Sequence, residues 1–250
     1  DVSTNDATPT VVAIPCFSGA PWDFAPLSDL HGFPLRTMRL PEGVSTVDGY
    51  ADFVAGQVKD LASYVLVGDS FGAVLGLALA LRQPAGLRAL VLSGGFAANP
   101  LPQWKSAMAG LAGFLPDAVY RNGVLRFHAS QLASTFDTTA EVPQRKSDYR
   151  SLFLENTPRE SYARRVSAVR KFDVRAQLGH VKVPTLVLTP QDDRLVGHGA
   201  ARDLVDGLPA AREVVLPETG HMFRFTHPHA YGNATARFLE EIMTETPAQA

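Results

Sequence analysis

Tyr64-Val65-Leu66-Val67-Gly68-Asp69-Ser70-Phe71-Gly72-Ala73-Val74-Leu75-Gly76-Leu77-Ala78-Leu79-Ala80-Leu81-Arg82 moves from a short apolar run to an Ala/Leu-rich run, with a glycine-flanked serine at the join. Tyr64–Val67 is apolar and partly β-branched, as a strand buried on both faces requires. Ala73–Arg82 is composed mainly of strong helix formers. Between them, Gly68-x-Ser70-x-Gly72 matches G-x-S-x-G, a sharp strand-to-helix turn that pushes a serine Oγ into the open. Small residues two positions either side let strand and helix approach closely. Three fixed residues in five recur by chance, so the flanking strand and helix carry the weight. The plain alternative is a serine in an ordinary strand-to-helix loop.

Working outward, the same alternation of short β-rich runs and longer helical runs continues. Thr10–Ile14 reads as a first strand, Asp23–Asp29 as a short helix and Leu35–Leu40 as a second strand. Val47–Leu61 keeps apolar residues at helical spacing (Tyr50, Phe53, Val54, Val58, Leu61). Further strands are expected at Leu87–Leu92, Thr185–Leu188 and Arg212–Leu216, and helices at Ala200–Gly207 and His229–Met243. The fold class is therefore α/β, a mostly parallel central sheet with helices on both faces. Between Gly94 and Val183 strand signals stop. Helical patterns at Trp104–Leu115, Tyr120–Phe136, Lys146–Asn156 and Arg159–Lys171 are separated by prolines. An inserted helical lid over residues 96–170 is expected, with 1–95 and 171–250 forming the core.

Bulk properties exclude several classes. The chain has 250 residues, 46% hydrophobic and 19% charged, a globular rather than a disordered balance. A net charge of −2 gives no overall attraction to nucleic acid. A single cysteine, Cys16, rules out an internal disulfide framework and a multi-cysteine metal site. The apolar runs fall far short of the ~20 residues of a membrane span. Asp1–Pro9 is polar without a basic residue, so no targeting segment is read there and a cytoplasmic location is expected.

A hydroxyl nucleophile needs a base, and the base needs an orienting group. After the strand at Thr185–Leu188 the chain reads Thr189-Pro190-Gln191-Asp192-Asp193-Arg194-Leu195-Val196, with two candidate acids. After the last strand it reads Pro217-Glu218-Thr219-Gly220-His221-Met222-Phe223. His221, on a loop between that strand and the C-terminal helix, can reach over a serine. The other six histidines fit less well. His31 precedes the second strand, His128 falls among the expected lid helices, and His180 and His198 lie outside strand ends. His227 and His229 flank Pro228 at a helix start, where a capping or surface role is the default.

With these residues in place the chain resembles the α/β-hydrolase superfamily over nearly its whole length. It is most similar to bacterial carboxylesterases with a Pro-Gly-type oxyanion loop, here Ile14-Pro15-Cys16-Phe17-Ser18-Gly19, and an Asp-Ser-Phe elbow. More distantly it is similar to pimeloyl-carrier-protein methyl ester esterases. Cys16 in place of the usual glycine and Pro190 in place of another depart from the pattern. The two strands that open many superfamily members are expected to be missing. The resemblance implies carboxylic ester hydrolysis through Ser70, His221 and Asp193, which fits the family's acid position better than Asp192. It also implies an oxyanion hole from the Phe17 and Phe71 N–H groups, and no metal or organic cofactor. Trp22, Trp104, Phe114, Phe127, Met222 and Phe223 are candidates for the substrate pocket, each with an ordinary core role as the plain alternative. Rivals on the same fold are a thioesterase, acyltransferase, lactonase or C–C hydrolase; from another class, a non-catalytic receptor.

Ala97 to Arg170 carries ten Lys/Arg against six Asp/Glu, whereas the rest of the chain carries thirteen against nineteen. That basic stretch is suited to an anionic substrate or an acidic carrier protein. The plainer reading makes Arg121, Arg126, Arg145, Arg159, Arg164 and Arg165 solvated helix positions.

Overall fold

Six strands hydrogen-bond in parallel: β1 (Thr10–Ile14), β2 (Leu35–Thr37), β3 (Tyr64–Asp69), β4 (Leu87–Ser93), β5 (Thr185–Pro190) and β6 (Ala211–Leu216). Their order across the sheet is β2-β1-β3-β4-β5-β6. The computed structural model describes residues 8–245 apart from 23–26, 103, 105, 106, 108, 109 and 134–140. The described helices are α1 (Val47–Val58), α2 (Phe71–Ala80), α3 (Asp117–Ala133), α4 (Glu141–Asn156), α5 (Arg159–Val169), α6 (His198–Gly207), the single turn α7 (Phe223–Thr226) and α8 (Pro228–Glu245).

The pleat sorts the apolar residues into two layers. Val12, Ile14, Leu66, Leu90, Leu92 and Val187 face a core shared with α1, α2 and α6. Val11, Ala13, Val65, Val67, Val91, Leu186 and Leu188 face the opposite core, with Trp22, Leu27, Leu30 and the α8 residues Tyr231, Phe238 and Leu239. Helix α1 starts where Thr46 Oγ accepts the Gly49 N–H at 3.0 Å, an N-cap. It buries Val47, Tyr50, Ala51, Val54 and Val58 at the spacing of one helix face. Helix α2 is buried at all ten positions, which suits its apolar character all round.

Three expected elements need correction. The second strand is three residues long rather than six, because it is a sheet edge whose ladder with β1 covers only Leu35, Arg36 and Thr37. Leu27–Asp29 forms a turn, and the remainder of the expected helix there, 23–26, lies outside the described residues. The expected helix at Trp104–Leu115 ends in a 3₁₀ turn, Leu111–Phe114, and the last residues of Tyr120–Phe136 lie outside the described residues.

Between β4 and β5 the described residues form helices and no strand, apart from an isolated bridge between Ala98 and Asp173. That bridge, with the Val174 N–H donating to the Ala97 carbonyl at 2.8 Å, ties the two ends of the segment together. A third core forms within it from Ala112, Tyr120, Leu125, Tyr149, Phe153, Tyr162 and Val166, joined by Met222 from the loop after β6. Among the described residues no helix is long and apolar enough to cross a membrane.

The strand order reverses between β1 and β3. The chain leaves β1 for β2 on one side and returns on the other as β3, so the loops after β1 and β3 part and leave a crevice at the strands' carboxyl ends. Gly68 and Gly72 set its width. A Cβ on Gly68 would sit 2.3 Å from the Gly72 carbonyl oxygen, and one on Gly72 2.3 Å from the Ile14 carbonyl oxygen. Both obstacles are backbone and cannot rotate away. Gly68→Ala should therefore destabilise the fold by about 2–3 kcal/mol, a fall in Tm of roughly 5–10 °C for a domain of this size. Thermal unfolding with an unchanged Tm would contradict the close approach.

Candidate active site

Ser70 stands between β3 and α2 with φ 54° and ψ −112°, a strained conformation for a residue with a side chain. The Ser70 N–H donates to the Ser93 carbonyl at 2.7 Å, which anchors the turn to the neighbouring strand. Ser93 in turn donates its hydroxyl to the Gly68 carbonyl at 2.8 Å and meets the Tyr231 phenol. Ser70 Oγ lies 2.9 Å from His221 Nε2, and His221 Nδ1 lies 2.9 Å from Asp193 Oδ2. The second oxygen of Asp193 accepts the Leu195 and Val196 N–H groups, each at 2.9 Å. With Oδ2 able only to accept, the imidazole carries its proton on Nδ1 and presents a lone pair from Nε2 to the serine. Asp192 takes a different part. Its N–H donates to the Thr219 carbonyl at 2.8 Å and ties the acid loop to the histidine loop.

Burial by itself would lower the His221 pKa. The Asp193 carboxylate, its hydrogen bond and the charge of Asp69 outweigh that effect and hold the value above the ordinary one. Asp193 is the mirror case: burial pushes its pKa up, but His221 and the two backbone donors pull it below the usual carboxylate range. Asp69, inside the elbow, is buried and accepts from Arg224 Nε at 2.7 Å. The Arg224 guanidinium is sandwiched between Trp22 and Phe225, 4.4 and 4.1 Å from their ring centres.

Phe71 begins α2, so its N–H has no intrahelical acceptor and points outward at a helix N-terminus. The Phe17 and Phe71 rings meet edge to face at 5.5 Å, which brings the loop after β1 beside the elbow. Above the serine opens a cavity of about 740 Å³. Ser70, His221, Phe17, Phe71, Cys16 and Asp69 line its floor, and Phe96, Leu115, Val119, Phe127, Val166 and Met222 line much of its wall. Of the pocket candidates, Phe127 and Met222 are in that wall. Trp22 and Phe223 are not. They are buried in the core layer that α8 covers, Trp22 with its indole N–H on the Ile14 carbonyl at 2.9 Å. Trp104 and Phe114 also stand outside the lining, 64% and 86% exposed, because the helical turns bearing them direct these positions to solvent. Among the described residues no three His, Cys, Asp or Glu side chains converge as metal ligands.

The fold model for the alpha/beta hydrolase fold matches residues 30–228. The chain belongs to the α/β-hydrolase fold family. A protein of Variovorax paradoxus (strain S110) named "Putative carbamate hydrolase RutD" is 32% identical over 180 residues. That match takes in 71% of this chain and 66% of the relative, so it spans just under two thirds of the relative's length. Among solved structures, a hydrolase from Pseudomonas aeruginosa PA01 superposes with a TM-score of 0.80 at 21% identity, covering 96% of this chain and 92% of that one. A thermophilic esterase from Thermogutta terrifontis, with malate bound, gives 0.76 at 22% identity with the same coverages. Both likenesses speak to the α/β-hydrolase fold.

Sequence reasoning missed two buried arginines. Arg224, in Phe223-Arg224-Phe225, had a signal in its aromatic flanks. Arg165 had none, and its reading as a solvated helix position is overturned: it is 1% exposed. Its neighbours mislead because Arg164 and Arg170 are more open. Arg121 is exposed and paired with Asp117, Arg126 is exposed, and Arg159 donates to the Leu115 carbonyl at 2.6 Å. The Arg145 side chain lies outside the described residues.

The raised His221 pKa has a direct readout. The imidazole followed by NMR should titrate with a midpoint above 6.5, and Asp193→Asn should move it down, since removing the carboxylate leaves burial to dominate. A midpoint below 6.5 in the unmodified protein would contradict the buried pair.

Proposed function

We propose that this protein is a serine hydrolase that cleaves a carboxylic ester through an acyl-enzyme. The observation that supports it most is the Ser70–His221–Asp193 hydrogen-bonded chain opening onto a largely apolar cavity. Ser70 Oγ attacks the carbonyl while His221 Nε2 takes its proton, and Asp193 holds the tautomer and stabilises the imidazolium. The developing oxyanion is received by the Phe71 and Phe17 N–H groups. His221 returns the proton to the leaving alcohol. Water, activated by the same imidazole, then releases the acid and restores Ser70. The helices between β4 and β5 act as a lid over residues 96–170, and their apolar wall suits an acyl or alcohol group of medium length.

A second reading, carbamate cleavage, is favoured by the relative from Variovorax paradoxus. The same residues would serve, since a carbamate also offers a carbonyl. The size and lining of the cavity favour a bulkier, less polar substrate than a simple carbamate. A carrier-protein substrate would rely on the basic segment, from which Arg165 is withdrawn by burial.

A p-nitrophenyl ester series of increasing acyl length, run beside an N-alkyl carbamate and an acyl thioester, tests the reading. The highest kcat/KM is expected for a medium-chain ester; preference for the carbamate would replace the ester assignment. Ser70→Ala and His221→Ala should each lower kcat by several orders of magnitude with the fold retained. Asp193→Asn should cost roughly 10⁴-fold, and Asp192→Asn far less. Full activity in Ser70→Ala would end the serine mechanism.

Because the base is the neutral imidazole, kcat/KM should rise with pH and reach half its plateau above pH 6.5, in line with the raised His221 pKa. A rising limb centred well below 6.5 would show that another group is the base.

A further inference from the structure

Arg165 is a buried cation that the mechanism above does not use. It projects from α5, and among the described residues no carboxylate pairs with it. Its Nη1 donates instead to two successive backbone carbonyls, Phe17 at 2.8 Å and Ser18 at 2.9 Å. The Ser18 carbonyl also accepts the Thr157 hydroxyl at 2.7 Å, from the turn just before α5. The next residue, Gly19, has φ +76°, and the place where its Cβ would be is filled by the guanidinium, with Nη2 2.4 Å away. Beside the head group stand phenols, and the Arg165 charge acts on both Tyr50 and Tyr120.

A buried guanidinium without a counter-ion is a poor choice for stability alone, since an apolar residue of like volume would avoid its desolvation. Both carbonyls that it binds lie on one loop, and that loop carries the Phe17 N–H; Tyr50 of α1 flanks the head group from the other side. Nη1, bonded to consecutive carbonyls, fixes the orientation of the Phe17–Ser18 and Ser18–Gly19 peptides, and with them the backbone angles at Ser18, the residue next to Phe17. We infer that Arg165, assisted by Thr157, is a positioning residue that holds the Phe17 N–H at the angle needed to receive the oxyanion. The inference rests on the ester-hydrolase reading and on Phe17 as an oxyanion donor. It makes the segment between β4 and β5 a working part of the site as well as its cover.

Loss of the clamp should act on the transition state and spare the ground state, because the substrate's apolar parts lie against other residues. A misplacement of about 1 Å costs on the order of 10²-fold, and complete loss of one oxyanion donor 10²–10³-fold. For Arg165→Gln, kcat on a p-nitrophenyl ester should fall roughly 30- to 300-fold with KM within about twofold. Values are to be normalised to the serines titrated to completion by a fluorophosphonate. Thr157→Val keeps the shape, removes one hydrogen bond to Ser18, and should lower kcat about 3- to 10-fold. Gly19→Ala, which drives the guanidinium from its seat, should resemble Arg165→Gln. Affinity for a trifluoromethyl ketone, whose adduct places an oxyanion in the hole, should weaken in step with kcat/KM across the three variants. Affinity for the matching methyl ketone should not change.

If normalised kcat and trifluoromethyl ketone affinity stay at the unsubstituted level while only Tm falls, Arg165 is structural and the inference is overturned. The same holds if both ketones weaken equally. Should Arg165→Gln not fold, Thr157→Val alone decides by the same two-ketone comparison. The ester-hydrolase reading is checked separately in the unsubstituted protein. Failure of fluorophosphonate to label Ser70 there would end that reading, whereas a labelled, active enzyme with indifferent Arg165 variants would end only this one.

Discussion

The rest of the site depends on the approach of Gly72 to the carbonyls of Ile14 and Pro15, a contact too close for any side chain. It brings the start of α2 against the end of β1, at the point where the loops after β1 and β3 part. The Phe71 N–H and the Phe17 loop thereby come together at the crevice, and their rings close the gap edge to face. A wider separation would part the Phe17 loop from the elbow. The positive φ of Ser70 is the local cost of this geometry, and the Ser93 carbonyl that accepts its N–H helps to hold it there.

Burying charge beside a nucleophile is hazardous, and each ionisable group near Ser70 is compensated differently. Asp193 is held by one imidazole and two backbone donors, so its charge is useful to His221 and to little else. Asp69 would, alone, place a buried negative charge beside Ser70 at the floor of the cavity. Arg224 neutralises it at 2.7 Å and is itself held between two aromatic faces. The pair leaves a near-neutral neighbour at the elbow, although Asp69 still adds to the upward pull on the His221 pKa.

The sheet, its main helices and the serine–histidine–aspartate alignment were legible because each rests on a local pattern. Apolar runs between turn residues marked β1, β3, β4 and β5, and G-x-S-x-G sat at the only strand-to-helix join of that kind. Preferring Asp193 to Asp192 needed the spacing of the whole acid loop, and the structure pairs Asp193 with His221. The pocket was less legible. Trp22, Phe127 and Phe223 are equally aromatic, and only the direction each strand end or helix turn imposes separates cavity wall from sheet core. Arg165 was the least legible, since helical periodicity shows which positions share a face and not which face a distant loop will cover.

That distant covering also divides the segment between β4 and β5 mechanically. Thr157 and Arg165 fasten its later part to the loop after β1, while the loop is held from the other side by its own turn, Gly19 N–H to Cys16, and by Leu40 N–H to Gly19. The earlier part carries the exposed apolar residues Leu111, Phe114, Val119 and Phe127, and Val119 and Phe127 reach from solvent to the cavity wall. A hinge that lifted α5 would either break these three hydrogen bonds from buried donors or carry the Phe17 and Ser18 carbonyls with it. Displacement of the α3 rim breaks none of these. The structure thus fastens the two parts of the segment differently: the α5 side is tied to the loop after β1, and these ties do not involve the α3 side.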